Sequence, residues 1–313
     1  MINNSNSFSI DRHITDLVKF LASLLIATGH YLGYFSTIEK VNLFHKIILA
    51  QGGLLGVALF FFLSGYGLMK SEQKCHLSAI LFIKRRILKV YLPVLVSAII
   101  WVPIWNLING HFIDNLYKIP LDIIWGWGDG ILWFVKCLLI LYVEFYLYTW
   151  VRKITENNIV RVCAIVAMCC VTFVYQYHIA DYSAVSVPLF FIGVMITDFH
   201  GVNKVLSKSI GIGLLVVIMS VFCILFRENY LFIHSMINYF VIFIWVFLSN
   251  QYNFTISSLP KFLGPLSFDI YITHNKCLLT MTYFLTCTTF LLFSCSTIAV
   301  SLLFYNLRKS LKI

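Results

Sequence analysis

Long apolar runs, separated by short polar breaks, dominate this chain. They lie near 15–34, 49–69, 87–108, 131–150, 159–177, 184–197, 210–226, 231–248, 263–284 and 288–305. A helix needs about 20 largely apolar residues to cross a bilayer, so the pattern predicts an all-α, polytopic membrane protein with about ten transmembrane helices. The sixth run is the shortest and contains Pro188 near its start. The first run is about 20 residues long, carries His30 near its end and lacks a small-x-small cleavage site, so it reads as a retained span rather than a signal peptide. The longest connection, Asn109 to Gly130, is flanked or lined by Trp101, Trp105, Trp125, Trp127 and Trp133 and carries His111, Asp114, Asp122 and Asp129. Tryptophans there suit a membrane interface, and the loop reads either as a solvated connector or as a lip for a polar substrate. No repeat or long linker interrupts the pattern, so residues 1–313 are read as one integral membrane domain.

Composition narrows the classes further. Of 313 residues, 60% are hydrophobic and only 12% charged, which is too few charges to dissolve a globule of this size. That excludes a soluble domain, a coiled coil, a disordered chain and a nucleic-acid-binding domain, despite a net charge of +10. The excess charge has another explanation. With ten spans, 17 of the 23 lysines and arginines fall on the side that holds both ends of the chain, and the positive-inside rule makes that side cytoplasmic. Eight of the nine cysteines lie in or beside apolar runs and no CxxC pair occurs, so they read as small hydrophobes rather than a disulfide framework or metal site.

An ionisable side chain inside a span costs roughly 2.5–3.5 kcal/mol on insertion scales, so each one calls for an explanation. His30, Lys136, Glu144, Asp269, His274 and Lys276 are the candidates. Lys19 and His30 are eleven residues apart, which on a helix brings them to within about 20° of one face and about 16 Å apart along the axis. Asp16 falls within about 40° of the same stripe. A rim cation below a titratable imidazole suits a long ligand whose anionic head stays at the cytoplasm while its reactive end reaches inward. Arg86 and Lys89 share a helical face in the run KRRILKVYLP, and with Lys84 and Arg85 they can bind phosphates or anchor the helix to anionic lipid. In FFFLSGYGLM, Gly65 and Gly67 are expected to permit close helix packing, and Ser64 to bond its own backbone. Asp269 and Lys276, seven apart on one face, are expected to form an internal ion pair, while Lys136 and Glu144 contact other helices.

Four segments in order, DRHITDLVKFLASLLIATGH at Asp11 to His30, FFFLSGYGL at Phe60 to Leu68, KRRILKVYLP at Lys84 to Pro93 and FLGPLSFDIYITHNKCL at Phe262 to Leu278, resemble the acyltransferase-3 family of bacterial integral membrane O-acyltransferases. Gly130 to Phe134 is similar to the family's LWF element. Lys19 stands where the family usually carries arginine, as Lys89 does in the basic motif; each keeps the charge and loses the bidentate fork.

The resemblance implies transfer of an acyl group, commonly acetyl from cytoplasmic acetyl-CoA, to a hydroxyl of a surface glycan or lipid-linked saccharide, by a multi-pass protein of the bacterial inner membrane. On that reading acyl-CoA is a co-substrate, with no bound cofactor and no metal. His30 is the general base; Lys19, Arg12, Arg86 and Lys89 meet the CoA phosphates; Asp16, Ser64, Trp133 and His274 line a cavity. An acyl-enzyme relay stays open beside direct transfer. The main rival is a transporter or flippase of lipid-linked sugars with the same polar groups along its path, although no inverted repeat is visible. A third reading, an interaction scaffold, would make the buried charges dispensable.

Overall fold

The computed structural model describes residues 10–35, 43–110, 117–125, 133–179, 184–199, 230–252, 255–256, 258–284 and 289–311. Ten helices account for almost all of them, and no strand occurs among the described residues: α1 (Arg12–Phe35), α2 (Leu43–Lys74), α3 (Ala79–Ile108), α4 (Ile119–Trp125), α5 (Trp133–Ile154), α6 (Asn158–Ile179), α7 (Val187–Asp198), α8 (Tyr230–Tyr252), α9 (Leu263–Phe284) and α10 (Phe290–Ser310). Six are long and apolar enough to cross a membrane: α1, α2, α3, α5, α6 and α10. The expected run near 210–226 lies outside the described residues, as do His111, Asp114 and Asp129 of the long connection.

Besides α8, whose described apolar stretch Ser235–Ser249 is shorter than a span, two departures from the expected ten spans have clear causes. At 12 residues, α7 covers only about 18 Å, too short for a hydrocarbon core. It is instead almost wholly buried, from Val187 to Met195, inside the other helices. The 22 residues of α9 are enough to span, but Asp269, His274 and Lys276 make it too polar to stand among the six. Those three side chains are buried, so neighbouring helices shield them. A third difference is one of boundary: α3 begins at Ala79, and the basic run lies within it, in a π-helical turn at Ile83–Ile87.

Glycine sets the closest packing. A Cβ at Gly29 of α1 would stand 3.0 Å from the Gly53 amide nitrogen, and one at Gly56 of α2 would stand 2.7 Å from the Ala22 carbonyl oxygen. The chain numbers run in opposite senses across this contact, so α1 and α2 are antiparallel. On α2, Gly65 abuts the Phe190 carbonyl and Gly193 of α7 abuts the Phe62 carbonyl. Gly65 therefore packs as expected, whereas Gly67 is exposed with nothing within 4 Å of where its Cβ would be, so it does not serve helix packing. Phe60, Phe61, Phe62, Phe134, Phe145 and Phe190 fill the main core around this crossing.

Contacts at both ends show that α1 and α9 run parallel. Asp16 lies against Gly264 at the start of α9, where a Cβ would come within 2.6 Å of its carboxylate, and His30 meets His274 farther along. A carboxylate beside a helix N-terminus is favourably placed in the helix dipole field. Antiparallel to α9, α10 is tied to it by Thr273 to Ser301 at 2.7 Å and by Asp269 to Arg308.

Candidate active site

Helix periodicity predicted the Lys19–His30 stripe, and packing of α1 onto α9 gives it a partner. His30 Nδ1 lies 3.0 Å from His274 Nε2, with ring centroids 5.0 Å apart. His274 is fully buried, while His30 is only partly so. His30 thus faces the interior of the bundle. The other ring nitrogen of His274, Nδ1, donates to the Ile270 carbonyl one turn earlier at 3.0 Å. Tyr271 stands 5.8 Å from the His274 ring and edges onto Phe134 at 5.0 Å, and Phe134 in turn contacts Trp133. The tryptophan expected in the cavity is therefore separated from the histidine pair by two aromatic rings, Phe134 and Tyr271.

Below this pair, toward the start of α1, the expected cations converge. The charges of Asp16, Arg12, Arg86 and Lys89 all act on Lys19, which is partly buried. Arg12 reaches Asp16 at 3.9 Å but is largely exposed, as is Lys89. Arg86 donates to the Ser71 hydroxyl of α2, a contact that directs the guanidinium inward from the π turn. Tyr142, buried on α5, lies beside Ser64 and within electrostatic reach of Arg86. One end of the bundle thus gathers Lys19, Arg86 and Lys89, with Asp16 as the opposing charge acting on Lys19, an arrangement of charge that favours an anion.

Tyr142, Ser71, Tyr271 and the Ile270 carbonyl were not legible in the sequence. Ser71 precedes Arg86 by 15 residues on another helix, and no periodicity connects Tyr142 to either of them. The Ile270 carbonyl belongs to a residue four before His274, a backbone group that any helix offers and that the sequence does not single out.

One expected contact is replaced. Asp269 does not pair with Lys276. Seven residues put them about 10 Å apart along the helix, too far to touch even on one face. Asp269 takes a bidentate ion pair with Arg308 of α10, both bonds 2.7 Å, with both side chains buried. Lys276 instead donates to Ser97 Oγ of α3 at 2.7 Å and to the Ile272 carbonyl at 3.0 Å. Glu144 lies near Thr172 of α6, but its Oε2 and the Thr172 hydroxyl are both buried without a hydrogen-bond partner among the described residues. A second buried polar group joins Tyr148 and Arg152 of α5 to Asp198 at the end of α7, the Arg152–Asp198 separation being 2.8 Å.

Chemically, the arrangement offers a partly buried imidazole facing the bundle interior and, about 16 Å away along the same helix, Lys19 with Arg86 and Lys89 of α3 acting on it. Among the described residues no cluster of three or more metal-ligating side chains occurs. No curated protein and no solved structure matches the chain. Residues 12–306, which take in the histidine pair and the cationic group, match the family described as Acyltransferase domain, and the chain belongs to this acyltransferase-3 family of membrane acyltransferases.

Proposed function

We propose that this protein transfers acetyl from cytoplasmic acetyl-CoA to a hydroxyl of an exported polysaccharide or its lipid-linked precursor, at the bacterial inner membrane, with His30 as general base. The observation that carries the reading is the single stripe of α1, with Lys19 among Arg86 and Lys89 at one end and His30 inside the bundle at the other. The phosphates of CoA sit with the cations, Arg12 adding charge at the rim, and the pantetheine arm runs along α1 toward His30. His30 takes the proton of the acceptor hydroxyl as its oxygen adds to the thioester carbonyl. The C–S bond then breaks and the departing thiolate recovers the proton from the imidazolium. The products are an O-acetyl ester and free CoA, with no net proton change on the enzyme. Ser64 lies beside Tyr142, whose phenol is within electrostatic reach of Arg86, which supports a lining role over a nucleophilic one.

A positioned general base contributes about 10²–10⁴-fold to rate. His30→Ala is therefore expected to lower acetyl transfer from labelled acetyl-CoA by at least about 100-fold in membranes that retain the protein and still bind CoA. Undiminished transfer in that variant would overturn the assignment.

A further inference from the structure

Resting on the reading of His30 as the base, we infer that His274 is a positioning residue that fixes which nitrogen of His30 carries the lone pair. The argument is one of donors and acceptors. A carbonyl oxygen only accepts, so the 3.0 Å contact between Ile270 and His274 Nδ1 requires a proton on Nδ1. A neutral imidazole has one N–H, so His274 Nε2 is then an acceptor. The 3.0 Å contact from Nε2 to His30 Nδ1 must accordingly be donated by His30. That leaves His30 with its lone pair on Nε2, the nitrogen at the far end of the ring from Cβ.

The peptide carbonyl of one turn of α9 thus sets the tautomer of a histidine on α1 through an intervening ring. The arrangement parallels a carboxylate that orients a catalytic histidine, with the backbone supplying the acceptor and without a buried negative charge. His274 suits this task for three reasons. It is fully buried, so water does not compete for Nε2. Tyr271 and its contact with Phe134 confine the ring. Its Nδ1 bond is internal to α9, so the orientation survives small shifts between helices. When His30 gains the hydroxyl proton at Nε2, its Nδ1–H continues to point at an acceptor, and the imidazolium is stabilised without rearrangement.

A residue that acts in this way changes turnover more than donor binding. We expect His274→Ala to lower kcat by about 100-fold while KM for acetyl-CoA changes less than about threefold, since a misoriented base loses much of its contribution. His274→Gln offers a side-chain carbonyl to the His30 Nδ1–H and should recover at least tenfold of that loss. Binding of a non-transferable acetyl-CoA analogue is measured for both variants and for His30→Ala. Normal kcat in His274→Ala beside an inactive His30→Ala would overturn this inference and leave the base assignment standing. Equal losses in the Ala and Gln variants, or loss of analogue binding in both, would assign His274 a structural role and overturn it as well. Full activity in His30→Ala would remove the reading on which it rests.

Discussion

At Lys19 the contributions of charge and fork geometry can be separated. Its ammonium lies among Arg12, Arg86 and Lys89 with Asp16 as the opposing charge, so it adds to a field rather than making the field alone. A hydrogen bond to a charged group contributes about 1.5–3 kcal/mol, and a tenfold change in affinity is about 1.4 kcal/mol. Lys19→Ala should therefore raise KM for acetyl-CoA tenfold or more, with a smaller effect on kcat, in a steady-state assay with varied donor. Lys19→Arg keeps the charge, adds the planar fork that suits phosphate, and should leave KM unchanged or lower it. The pairing of Lys19 with His30 was legible because both lie on one helix, where a period of 3.6 residues fixes the geometry. The pairings of His274 with His30 and of Arg308 with Asp269 were not, since these partners are 244 and 39 residues apart and the sequence alone does not say which faces meet.

Among the elements, α9 shows why an apolar-run reading succeeds in position and fails in character. Its limits, Leu263–Phe284, coincide with the predicted run, yet its polar side chains point to three different neighbours: His274 to α1, Asp269 to α10 and Lys276 to α3. A helix that places one buried polar contact on each neighbour is fixed in rotation as well as in depth, and its rotation aims His274 at His30. The Asp269–Arg308 pair is the strongest of these contacts by geometry. Removing one partner of a buried ion pair costs about 3–5 kcal/mol, whereas replacing both with apolar groups of similar volume is often neutral. Asp269→Ala is thus expected to lower the melting temperature in detergent markedly. The double variant Asp269→Leu with Arg308→Met should recover most of it; if the double variant is as unstable as the single, an uncompensated charge is not the cause. The α2–α7 crossing gives a second element-scale test. A methyl at Gly65 would meet the Phe190 carbonyl, part of the backbone of a helix buried on all sides. Overpacking of this kind costs about 1–3 kcal/mol, so Gly65→Ala should destabilise while Gly67→Ala, whose Cβ has nothing nearby, should not. Thermal unfolding of the two variants side by side checks this.

For the whole molecule, the proposed chemistry depends on orientation, because the thioester comes from the cytoplasm and the cations must face it. The helix contacts are consistent in this respect. Lys19 on α1, Arg86 on α3, the Ser71 end of α2, the Asp198 end of α7 with Arg152 of α5, and Arg308 on α10 beside Asp269 all fall at corresponding ends of their helices. Alternating directions along α1, α2 and α3 produce that gathering, and the proposed function requires it to face the cytoplasm, as the positive-inside rule predicts. Two positions test this orientation. Cys75 is exposed and follows Lys74 at the end of α2, near the basic turn of α3. Gly110 is exposed at the opposite end of α3, two residues beyond Ile108. In versions of the protein carrying a single cysteine, a membrane-impermeant maleimide added to sealed right-side-out vesicles should label Gly110→Cys and spare Cys75. Inverted vesicles should give the reverse. Labelling of Cys75 from outside would turn the cationic group away from the acyl-CoA pool, and His30 would then have no thioester delivered along α1, whatever the merits of its contact with His274.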